Sequence, residues 1–224
     1  MRKRVGCLHA HYSNIEYIEN VFSPFDVELI HFVDPGLMYQ VMHNENVKKA
    51  DAQSKVKEQI EWIAQCHVEA ILITCTNYIV ILQEVQLSIS VPIIKIDEPF
   101  FEQICTIQKP QIILFSNPAT VEGTMERLYH FARDNNKSLD IEIMILNNTF
   151  ELIMQGRKKE YNQEITKFLN NIIEKEDKVI SVAQLSMVEA SRQVEKTTSM
   201  AIINPLHTLV SSIVNRFDLQ KKKQ

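Results

Sequence analysis

Of the four cysteines in the sequence (Cys7, Cys66, Cys75 and Cys105), Cys75 is the one placed for chemistry. It ends the apolar run that begins at Ala70 and is followed at once by Thr76 and Asn77, residue types that favour helix starts. A thiol at a helix N-terminus meets free N–H groups and the positive end of the helix dipole, so its pKa is expected to fall and its reactive thiolate to form more readily. Cys7, Cys66 and Cys105 read as inert thiols of the buried kind. No metal-like CxxC spacing links the four, and for a cytosolic chain they read as reduced thiols rather than a disulfide framework.

Three further polar loops follow apolar runs. They are His9-Ala-His11-Tyr12-Ser13-Asn14, Ser116-Asn117-Pro118-Ala119-Thr120 and Gln184-Leu185-Ser186. Their hydroxyls and amides suit a carboxylate, because a helix start adds free N–H donors beside them. The bland reading of Thr76, Asn77, Ser116, Thr120 and Ser186 as caps is compatible with that use, and Ser13 and Asn117 join them as candidate binding residues. Gln184 can donate hydrogen bonds from a neutral amide. His9 is a candidate carboxylate partner or proton carrier, and His11 a loop residue. The two face one way on an extended chain, but no third metal ligand accompanies them in the sequence, so no metal site is expected.

The elements that must position these loops alternate between strand and helix, which predicts an α/β fold with largely parallel sheets. The strand candidates are Val5–Leu8, Val27–Val33, Ala70–Cys75, Pro92–Ile96, Ile112–Phe115, Ile141–Leu146, Val179–Ala183 and Met200–Ile203. Several are apolar throughout, as strands buried on both faces are. Helical periodicity marks Val56, Ile60, Ile63 and Ala64, then Ile165, Phe168, Leu169, Ile172 and Ile173, then Leu206, Leu209, Val210, Ile213 and Phe217. In such sheets ligands gather beyond the carboxyl ends of the strands, and each polar loop lies at one. The stretch from Leu8 to Cys75 nearly equals that from Phe115 to Gln184, and the steps to Ile96 and Asn204 also match. This predicts two copies of one four-strand unit. The expected division is a first lobe of residues 1–108 plus 206–224, with the last helix returning to it, and a second lobe of 109–205.

Composition excludes several classes. The net charge is −4 with both signs mixed, which leaves no basic footprint for nucleic acid. The Lys221-Lys222-Lys223 run reads as a frayed, solvated end. No apolar stretch is long enough to span a bilayer, and His9 and His11 break the apolar run behind the basic N-terminus, so no signal peptide is expected. The residence is read as cytoplasmic. With only 4 glycines there is no glycine-rich phosphate loop.

Ile73-Thr-Cys-Thr-Asn77 resembles the first cysteine motif of the aspartate/glutamate/hydantoin racemase superfamily. Val182-Ala-Gln-Leu-Ser-Met187 is similar to the second-lobe motif of a less characterised branch. Leu8-His9, Val91-Pro-Ile-Ile-Lys-Ile-Asp-Glu98 and Pro118-Ala-Thr120 extend the resemblance over roughly residues 4–204. It implies two pseudo-symmetric α/β lobes with a small carboxylate substrate between them, no metal or pyridoxal cofactor, and self-association. It also implies two cysteines on opposite faces of an α-carbon, one removing its proton and the other supplying one. Cys75 matches the first. Gln184 stands where the second would be, and an amide cannot carry that proton. The expected function is therefore an isomerase-like enzyme acting at the α-carbon of a small carboxylic or amino acid, with Cys75 as acid/base. A non-catalytic anion-binding protein and a single-cysteine decarboxylase remain open alternatives.

Overall fold

The computed structural model describes residues 2–83 and 85–222, and these form two compact units: Met1–Glu98 with Leu209–Gln224, and Pro99–Thr208. The first contains β1 (Lys3–His9), α1 (Ser13–Phe22), β2 (Val27–Val33), α2 (Pro35–His43), α3 (Lys49–Ala64), β3 (Ala70–Ile73), α4 (Thr76–Ile81) and β4 (Ile93–Lys95). Its four strands pair in parallel in the order β2-β1-β3-β4. β1 and β3 are central and their side chains are buried from Val5 to His9 and from Ala70 to Ile73. That accounts for their near-continuous apolar sequence. Helix α3 turns Ala52, Val56, Ile60 and Ile63 inward and leaves Trp62 exposed, as its periodicity predicts. Its close approach to β1 requires Gly6, since a Cβ there would stand 2.4 Å from Ile63 Cγ2.

The second unit runs through α5 (Glu98–Thr106), β5 (Gln111–Phe115), a 3₁₀ turn (Pro118–Thr120), α6 (Val121–Asp134), β6 (Ile141–Ile145), α7 (Phe150–Met154), α8 (Lys158–Lys175), β7 (Val179–Val182), a second 3₁₀ turn (Leu185–Met187) and α9 (Val188–Thr198). The last helix, α10 (Pro205–Phe217), follows. The parallel sheet has the order β6-β5-β7. Period-two alternation along β5 divides the core. Ile112 and Leu114 pack with Tyr161, Ile165 and Leu169 of α8, while Ile113 and Phe115 pack with Phe100, Phe101, Met125 and Leu128.

Both sheets place the first strand of the unit between the second and third, so the repeated path expected from spacing is present in the topology. The expected strand Met200–Ile203 is the exception. It contracts to one parallel bridge between Ser181 and Ile203, with Val182 N–H donating to Ile203 O at 2.9 Å and Ile203 N–H to Ile180 O at 3.0 Å. The chain is still leaving α9 at Ser199, whose φ is 57°, and α10 begins two residues past Ile203 at Pro205, which has no N–H to extend a ladder. The expectation of a frayed basic end also fails for Lys221 and Lys222. Lys221 bridges Phe25, and Lys222 N–H donates to Pro24 O at 2.8 Å; Lys223 lies outside the described residues. Among the described residues, no helix is long and apolar enough to cross a membrane.

Candidate functional site

In the first unit, β3 ends at Ile73 and the chain continues through Thr74 to Cys75, the N-cap of α4. Cys75 has extended backbone angles (φ −107°, ψ 117°), and its carbonyl accepts the first helical bond from Ile79 N–H at 3.1 Å. The thiol is free, and Cys75, Thr76 and Asn77 are half-buried. The helix start is fixed by Tyr78, which is fully buried and donates its hydroxyl to Asp34 O at 2.5 Å. Asp34 in turn caps α2 by accepting from Leu37 N–H and accepts from the Gln59 amide.

The helix-start argument for Cys75 meets a larger opposing effect. Burial pushes the thiol above its ordinary value, and the backbone N–H groups of Tyr78 and Asn77, which favour the thiolate, offset this only in part. The resting form at neutral pH is the thiol.

His9 ends β1 fully buried. Its Nδ1 lies 2.8 Å from Thr74 Oγ1 and its Nε2 lies 2.8 Å from His31 Nδ1. The outer nitrogen of His31 reaches Glu19 Oε1 at 2.9 Å. Asn14 Nδ2 donates to Thr74 Oγ1 at 3.3 Å. Burial, reinforced by His31, holds the His9 imidazole down to about 4, so it is neutral near pH 7. His11 does not join this group. Its Nδ1 accepts from Ser13 N–H at 3.2 Å and from the Ser13 hydroxyl at 2.8 Å, making Ser13 part of a local turn at the start of α1.

In the second unit, one amide oxygen organises the ends of β5 and β7. Gln184 Oε1 accepts from Ser116 N–H at 2.7 Å, from the Ser116 hydroxyl at 2.7 Å and from Asn117 N–H at 3.0 Å. Its Nε2 donates to Thr120 Oγ1 at 3.2 Å. Buried Tyr161 lies 2.7 Å from Ser116 Oγ and 2.8 Å from Ser186 Oγ. With Ser116 donating to Gln184, the hydroxyls run one way: Ser186 to Tyr161 to Ser116 to the amide. Asn117 accepts from Ala119 N–H through its side chain, acting as the cap its residue type predicts. Ser116, Asn117, Thr120, Gln184 and Ser186 are therefore joined around one acceptor. The amide oxygen fills a set of donors of the kind that would hold a carboxylate oxygen.

The residues that sequence reasoning missed are Cys7, Glu19, His31, Thr74 and Tyr161. Thr74 precedes Cys75 directly, and its hydroxyl was a visible signal. Tyr161 begins the buried stripe of α8. His31 had no such marker, because its position depends on the pairing of Cys7 with His31 between β1 and β2.

The fold is the one shared by aspartate, glutamate and allantoin racemases. Aspartate racemase from Picrophilus torridus superimposes with a TM-score of 0.72 at 15% identity, over 99% of this chain and 96% of that one. Allantoin racemase from Klebsiella pneumoniae gives 0.65 at 12% identity, over 98% and 90% of the two chains. Glutamate racemase from Francisella tularensis, solved with D-glutamate, gives 0.63 at 14% identity, over 100% and 85%. No protein-family model matches the chain, and no curated protein matches its sequence.

Proposed function

We propose that the protein is a cytoplasmic isomerase-like enzyme that acts at the α-carbon of a small carboxylic or amino acid, with Cys75 as its acid/base and no cofactor at the reacting carbon. The observation that carries this reading is Cys75 itself: a free thiol at the strand-end N-cap of a fold shared with racemases. In the reactive form, the Cys75 thiolate takes the α-proton and leaves an enolate-like charge on the substrate carboxylate. The backbone N–H groups that favour the thiolate, with the Thr76 and Asn77 side chains, supply donors for the anion. Ser13 is the further proposed carboxylate donor of the first unit; Ser116, Asn117, Thr120, Gln184 and Ser186 are proposed as a donor set within the second unit, and the protein is proposed to act as a homo-oligomer.

The resemblance puts Gln184 where the partner thiol would stand, which sharpens the expected outcome. Gln184 cannot deliver a proton, so return of the proton from Cys75 gives exchange on one face without inversion. A panel of α-substituted acids in heavy water is predicted to lose the α-proton signal by NMR faster than it loses optical activity, and Cys75→Ala is predicted to do neither. Equal exchange by the two proteins would remove Cys75 from the reaction.

A second reading rests on the raised Cys75 pKa. A thiol that keeps its proton suits delivery to a carbanion left by loss of carbon dioxide, the single-cysteine lyase case. Release of carbon dioxide without exchange would favour it. Ligand-dependent thermal stabilisation with neither activity would instead assign a non-catalytic anion-binding protein.

A further inference from the structure

We infer that Cys7, His9 and His31 form a binding site for one thiophilic divalent cation of the zinc type, held on the face of the first sheet that α1 covers. The three side chains meet because of register. Cys7 and His9 alternate along β1 onto one face, and β2 pairs His31 directly beside Cys7. Sγ of Cys7 and one ring nitrogen of each histidine all lie within 4.8 Å of one another. Zinc takes thiolate sulfur at about 2.3 Å and imidazole nitrogen at about 2.0–2.1 Å. Donors around one ion therefore stand between about 3 and 4 Å apart, so the site closes with sub-ångström adjustments.

The hydrogen-bond pattern suits a cation at this spot. Thr74 Oγ1 lies 2.8 Å from His9 Nδ1 and 3.3 Å from Leu8 O, and the hydroxyl can give its proton to either. At the other end, the Glu19 carboxylate is an acceptor, so the 2.9 Å contact places a proton on His31 Nε2 and leaves a lone pair on its Nδ1. Without a cation, a proton on His9 Nε2 joins the two rings across 2.8 Å. With the Thr74 hydroxyl turned to Leu8 O, that proton sits on Nδ1 instead and both inner nitrogens present lone pairs to a cation. Cys7 Sγ, whose hydrogen bond to Val5 O is long at 3.8 Å, supplies a sulfur donor beside that point.

The outer partners follow the pattern of a metal centre. Each ligating imidazole is held through its far nitrogen, one by a hydroxyl and one by a carboxylate, which fixes tautomer and ring direction. Entry is through His31, whose side chain is 15% exposed, beside Glu19 at 53%. Three protein donors leave a fourth position for water. The inference does not depend on the reaction proposed for Cys75.

The test uses the full chain, treated with chelator and titrated with cobalt(II) as the probe. One equivalent is expected to produce a thiolate-to-cobalt charge-transfer band and the visible bands of a four-coordinate ion, both abolished by one equivalent of zinc(II). Cys7→Ser removes the charge-transfer band, His31→Gln weakens cobalt binding at least ten-fold, and Cys66→Ser and Cys75→Ala change neither. Zinc raises the melting temperature of the wild-type chain and leaves that of Cys7→Ser unchanged. Folded wild-type protein that gives no band, a band that survives Cys7→Ser, or undiminished affinity in His31→Gln would overturn the site and leave a proton joining the two rings. Loss of cobalt binding with α-proton exchange intact, or the reverse, separates this inference from the proposed reaction.

Discussion

The ends of β1 and β3 in the first unit and of β5 and β7 in the second occupy the same slots of a repeated topology, yet they carry different chemistry. The first holds the Cys75 thiol and the His9 imidazole, which reaches His31 of β2 and through it Glu19 of α1. The second holds hydroxyls, backbone N–H groups and the side-chain amides of Asn117 and Gln184, and the strand-end donors close on Gln184. A thiol and an imidazole thus stand at the strand ends of one copy and, among the described residues, not at those of the other. Duplication fixes where side chains stand, and their identities alone decide which copy can do acid–base work.

The largest change expected in the second unit follows from removing its acceptor. Gln184→Leu leaves Ser116 N–H, Asn117 N–H and the Ser116 hydroxyl without their shared partner. Each unsatisfied buried donor costs about 1–3 kcal/mol. Because the site is half-open to water, the expected loss is roughly 3 kcal/mol in urea unfolding. Gln184→Glu keeps the accepting oxygen, and most of that stability is expected to remain. If Leu and Glu at this position cost the same, the amide oxygen is not what joins the two strand ends.

Acid should separate the two copies next. The His9 imidazole is held down to about 4 against about 6.5 in an unfolded chain. A depressed histidine stabilises the fold fully above the unfolded pKa and loses that contribution as pH falls towards the folded one. For chelator-treated protein, stability is expected to drop by about 2 kcal/mol from this group between pH 7.5 and pH 5. His9→Gln should flatten that part of the profile. An unchanged slope would mean that His9 is not the buried neutral group.

A smaller effect is expected at Tyr161. Tyr161→Phe removes the hydroxyl between Ser116 and Ser186 and keeps the ring in the core. About 1 kcal/mol should be lost, with little change in acid sensitivity. A loss confined to low pH would tie Tyr161 to a titrating group and weaken the contrast between the copies.

Sequence alone carried most of the framework, because strands β1, β3, β5 and β7 are largely buried and therefore mostly apolar. It also placed Ser116, Thr120, Gln184 and Ser186 at strand ends. It could not show that they share one acceptor, since Ser116 and Gln184 are 68 residues apart and nothing in either segment specifies the pairing. The group around His31 was hidden for a similar reason. Val27–Val33 reads as an ordinary strand, and only its register on β1 sets an imidazole beside Cys7 and His9. At Cys75 the position was legible and the sign of the pKa shift was not. Helix-start residues are visible in a sequence, whereas the packing that desolvates a thiol is a property of the folded chain.

The account turns on Cys75, and the most direct measurement is α-proton exchange on small carboxylic and amino acids in heavy water, comparing the wild-type chain with Cys75→Ala. The account predicts exchange by the wild type that falls at least ~10²-fold in the variant, the scale of a lost general acid/base, while both proteins melt alike. Exchange at equal rates in the two proteins would contradict it.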